Sequence, residues 1–63
     1  MTPSHPVVAA LVDKLDDNLK EAFEERAAIF EFEAGMERQL AECLALLYLI
    51  NRHPAQVIGY LTK

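Results

Sequence analysis

The sequence predicts an all-α fold: a long amphipathic helix, a helical hairpin turning at Gly35, and a short third helix, the whole assembling as an oligomer. Three observations carry the prediction. Apolar residues recur at spacings of three and four, the signature of one helix face. The alternation of a half-buried strand is nowhere sustained. Pro3, Pro6, Pro54 and Gly35 stand at the ends of the periodic segments, where helices start and stop.

Thr2, Pro3, Ser4, His5 and Pro6 read as an extended entry, with Ser4 or His5 as a cap and Pro6 in the first turn, where a missing N–H costs nothing. From there Val8, Leu11, Val12, Leu15, Leu19, Ala22, Phe23, Ile29 and Phe30 fall within about 60° of one another's mean line, a single stripe. Gly35 supplies the left-handed residue that commonly follows a helix end. One helix over about 6–34 would be roughly 43 Å long. Asp16, Asp17 and Asn18 prefer caps to helix interiors, so a break at 16–18 is the alternative. The stripe keeps phase from Leu15 to Leu19, which favours continuity.

Residues 36–52 form the second expected helix. Its latter half, Leu44 to Ile50, is apolar on every side and must be covered all round. A chain of 63 residues has little with which to cover it. A second copy, docked on Leu46, Leu49 and Ile50, is the expected cover, giving a homodimer. Pro54 then starts a third helix over about 54–61, weakened by Gly59.

The chain carries a net charge of −4, and all ten acidic residues lie between positions 13 and 42. Such a balance argues against direct binding to a nucleic-acid backbone, which takes a basic patch. Asp13, Asp17, Glu24 and Glu31 project from one side of the first helix and are the candidate partner-binding face, suited to a basic protein surface. No apolar run approaches the length of a membrane span, and no secretory leader is read, so the expected location is cytoplasmic. The lone Cys43 fits a reducing compartment and forms no disulfide within the chain.

Catalysis finds no support. His5 and His53 each precede a helix-starting proline and read as caps or exposed rings. Cys43 sits in an apolar run without a histidine at helical spacing and reads as a buried, inert thiol. The carboxylates come without the converging histidine or second cluster that acid–base chemistry or a metal needs. No catalytic residue, cofactor or metal site is expected. Arg26 is the anomaly, because it lies in the middle of the apolar stripe. Glu33 is near the same line but about 10 Å further along the axis, too far for pairing within one helix. A structural ion pair is therefore expected between Arg26 and Glu33 of another copy, or Glu37 or Glu42 of the second helix; the alternative lifts the guanidinium into water.

The stretch Glu25-Arg26-Ala27-Ala28-Ile29-Phe30-Glu31-Phe32-Glu33-Ala34-Gly35-Met36-Glu37-Arg38-Gln39-Leu40-Ala41-Glu42 resembles a short helical segment of phage, plasmid and integrated-element proteins, often replication- or primase-associated. Glu37 stands where that segment usually has a capping Ser or Thr. The resemblance implies a helical hairpin and a mobile-element context, and brings no catalytic residue. Together these readings describe a non-enzymatic interaction module that regulates or inhibits a host or defence protein through its acidic face. The alternative is a DNA-binding or replication accessory factor in which residues 36–52 and 54–63 form a degenerate helix-turn-helix. Gln56 is then its chief base-reading side chain, with little cationic support.

Overall fold

The computed structural model describes residues 5–62, and these fold into four helices: α1 Pro6–Asp13, α2 Asp17–Phe32, α3 Arg38–Arg52 and α4 Pro54–Leu61. The expected all-α class is what forms, and the described residues contain no strand. Ser4 as a cap, the entry at Thr2 and Pro3, and Lys63 lie outside the described residues. His5 caps α1: its Nδ1 accepts the Val7 amide at 3.2 Å, and Pro6 occupies the first turn.

The continuous helix over 6–34 does not form. The chain turns at Lys14 and Leu15, and α2 starts afresh from Asp16, whose Oδ1 accepts the Leu19 amide at 2.8 Å. A side-chain acceptor that satisfies an orphan amide is a strong helix-start signal. It outweighed the phase of the stripe, which survives because Leu15 and Leu19 both enter the same core. Asp16 also accepts the Tyr60 hydroxyl at 3.1 Å, tying α4 to the α1–α2 corner. That bond raises the Tyr60 pKa above its ordinary value, because the neutral phenol is the donor.

α2 and α3 form the hairpin and the largest helix–helix contact. Gly35 turns the chain with φ +68°, the left-handed conformation expected of it, and the Met36 amide reaches back to the Phe30 carbonyl at 3.2 Å. α3 then begins without a side-chain cap at Glu37. Ala27, Ala41 and Ala45 are fully buried, small enough to let α2 and α3 approach closely. Phe23, Leu49 and Val57 fill the centre, with Val8 of α1 closing one side.

The core overturns one expectation. Leu46 and Leu49 are 6% and 2% exposed inside the single chain, and Ile50 packs half-buried against them. They are therefore not the surface that a second copy would cover. The break at 14–16 lets α1 fold back, and the restart at Pro54 lets α4 fold back, both as extra walls over α3. The accessible surface of 4256 Å² is close to the ~4,100 Å² of a compact monomer of this mass.

Candidate functional site

Charge is concentrated where α3 begins against the flank of α2. Residues 24, 27 and 31 share one side of α2, and residues 38, 42, 45 and 49 share the inner line of α3. Arg38 therefore meets both helices. Its Nε donates to Glu42 at 2.9 Å, Nη1 to Glu31 at 3.0 Å and Nη2 to Glu24 at 3.1 Å. The Glu31 hydrogen bond, opposed by partial burial and joined by Glu42 and Glu24, holds the guanidinium pKa above its ordinary value. One cation thus serves three carboxylates.

Glu42 is the unusual member. It is 3% exposed, and while one carboxylate oxygen takes the Arg38 bond, its Oε1 is buried with no hydrogen-bond partner among the described residues. A buried acceptor in that state costs about 1–3 kcal/mol. Glu42 also lines a cleft of about 280 Å³ between α1, α2 and α3, whose walls are Val8, Val12 and Phe23 and whose charged residues include Asp13, Lys20 and Glu24. Lys20 lies 4.0 Å from Asp13, at the limit of an ion pair.

Of the expected acidic face, Glu24 and Glu31 are brought together by Arg38, and Asp13 stands across the same cleft on α1. Asp17 is the first residue of α2, exposed. The helix break prevents a single straight row of all four. The sequence does not single out Arg38 and offers Glu42 only as a candidate partner of Arg26, although the signal for more is present. Glu42 falls on the line of Ala45 and Leu49, so an acid there had to be buried and paired.

Arg26 takes a different partner from those expected. Its Nη2 donates to the Tyr48 hydroxyl at 3.1 Å, and the guanidinium lies 4.0 Å from the Tyr48 ring centroid and 5.9 Å from that of Phe30. No carboxylate among the described residues lies within ion-pair distance of it. Glu33 is exposed at the end of α2, and Glu37 and Glu42 face elsewhere. The Tyr48 hydroxyl and two ring faces take the place of the carboxylate, since a planar guanidinium can stack on a ring as well as pair with an acid.

The outer face of α3 carries the apolar surface that remains. Leu40 and Leu47 are 52% and 60% exposed, with the exposed Cys43 between them and half-buried Leu44 alongside. Cys43 is thus not the buried thiol expected. No described helix is long and apolar enough to cross a membrane. Comparison with protein-family models, curated proteins and solved structures returns no match.

Proposed function

We propose that this chain is a non-enzymatic interaction module whose α1–α2 flank docks on a basic protein surface. The observation that carries the reading is the imbalance of exposed charge. Of the ten acidic residues, only Glu31 and Glu42 are withdrawn from full exposure, whereas among the described lysines and arginines only Lys14 and Arg52 are fully exposed. Lys20, Arg26 and Arg38 are drawn inward by their own partners. The surface offered to a partner is therefore more acidic than the net charge of −4 suggests. The resemblance of residues 25–42 to mobile-element proteins favours a regulator or inhibitor of a host or defence protein as the role of this surface.

A pull-down from lysate at increasing ionic strength tests the reading. The wild-type chain is expected to capture a basic protein that is released as salt rises, and a chain with Asp13→Asn, Asp17→Asn and Glu24→Gln is expected to lose it. A partner retained by the neutralised chain, or indifferent to salt, overturns the reading.

The outer face of α3 supports a second element of the proposal, assembly with another copy through Leu40, Leu44 and Leu47. Between Leu40 and Leu47 the one acid, Glu42, is buried, so two chains of like charge can meet on this stripe without opposing carboxylates there. Sedimentation is expected to show a dimer that Leu40→Ser with Leu47→Ser converts to monomer, and mild oxidation is expected to cross-link Cys43 across it. A wild-type monomer at high micromolar concentration contradicts this element and leaves the acidic flank untouched.

A further inference from the structure

We infer that the second copy lies antiparallel on α3, with the two-fold axis crossing between Cys43 and Leu44; the inference rests on the assembly reading and fixes its geometry. Leu40, Leu44 and Leu47 follow one another at spacings of four and three, the line on which one helix meets another. The two most exposed of them, Leu40 and Leu47 at 52% and 60%, stand symmetrically about that axis. A closed pair needs such a patch, because each residue must find its counterpart across the axis. Antiparallel pairing sets Leu40 of each copy on Leu47 of the other, with Cys43 and Leu44 at the centre.

Charge selects the direction. The start of α3 is acidic, with exposed Glu37 at its N-cap and exposed Glu33 just before the Gly35 turn. Its end is basic. Arg52 and His53 are exposed, hold no ion pair among the described residues, and line one cleft with Arg26 and a single acid, Glu25. At about 1.5 Å per residue, Glu37 stands about 10 Å before the axis and Arg52 about 13 Å beyond it. The two-fold therefore brings Arg52 of each copy to the height of Glu37 of the other, within about 3 Å along the helix. Parallel pairing would oppose Glu37 to Glu37 and Arg52 to Arg52. The same two-fold keeps each flank on its own side, so the flanks of both copies that carry Glu24 and Glu31 face one way. The pair thus offers a basic partner two acidic flanks on one face, which parallel pairing would turn to opposite faces.

Sedimentation and cysteine pairing together test it. In a Cys43→Ser background, chains carrying Leu40→Cys or Leu47→Cys are exposed to oxidised glutathione, which takes up two hydrogens as each disulfide forms between two thiols. Mixed, the two chains are expected to cross-link several-fold more than either alone. By sedimentation, Glu37→Arg is expected to weaken the dimer several-fold, and Arg52→Glu added to the same chain to restore it. Leu40→Cys cross-linking to itself as strongly as to Leu47→Cys, or a reversed charge pair that recovers nothing, overturns the inference while the dimer stands. A wild-type monomer at high micromolar concentration overturns both the assembly reading and its geometry, and leaves the acidic flank in place.

Discussion

Two arginines bridge α2 and α3, and they do so by opposite chemistry. Arg38, near the Gly35 turn, is held by three carboxylates. Arg26, towards the other end of the hairpin, is held by Tyr48 and lies over Tyr48 and Phe30. The ring-bound arginine adds positive charge to its end without a neutralising acid. The carboxylate-bound arginine leaves negative charge over, since one cation cannot neutralise three anions. A charge layout in the sequence therefore becomes a polarity along the hairpin only once each cation's partner is known. Negative surplus collects beside the cleft, where the docking reading needs it.

Breaking each bridge separately sharpens the contrast. Arg38→Ala is expected to cost most, about 3 kcal/mol, because Glu42 is left buried beside two other acids. Its penalty, read from denaturant unfolding, should shrink in molar salt as the repulsion among Glu24, Glu31 and Glu42 is screened. A penalty that is small and insensitive to salt breaks the comparison.

Asp16→Ala comes next, at about 1–2 kcal/mol, since it removes the α2 cap and releases the Tyr60 tie that holds α4. It also reports through pH. The Tyr60 pKa is raised in the folded chain, so the stabilisation from its donated bond is present below the ordinary phenol range near pH 10 and is lost as pH rises through the folded value. Ultraviolet titration should show one tyrosine ionising late in the wild type and returning to the ordinary range in Asp16→Ala.

Arg26→Ala is the smallest of the three, at about 1 kcal/mol from the lost ring contacts, and should be the same at low and high salt. A cost near zero, equal to that of a surface change, removes Arg26 as a bridge. A cost that falls steeply with salt would mean that a carboxylate, not a ring, is its partner.

Much of this architecture was legible in the residues. Helical periodicity, the Gly35 turn, the proline-led start of α4 and the anomaly at Arg26 are all local patterns, and each has its counterpart in the fold. What was not legible is competition between local and distant signals. At Asp16 a cap and an unbroken apolar phase pointed to different answers, and the cap prevailed because the stripe could be buried on both sides of the break. That one local outcome freed α1 to cover the core and turned Leu46 and Leu49 from surplus into interior. The site was half legible. Spacing puts Glu24 and Glu31 on the candidate partner-binding face, but their convergence on Arg38 depends on how α3 lies against α2, which spacing within one helix does not encode.

Thermal melting of Glu24→Gln beside Arg38→Ala at low salt tests most directly whether carboxylates outnumber their partner here. With Glu24 64% exposed and Arg38 still served by Glu31 and Glu42, the variant is expected to melt at or slightly above the wild-type temperature while Arg38→Ala melts well below it. A fall for Glu24→Gln comparable to that of Arg38→Ala would show three carboxylates all required to hold one arginine, leaving no negative charge to spare for a partner.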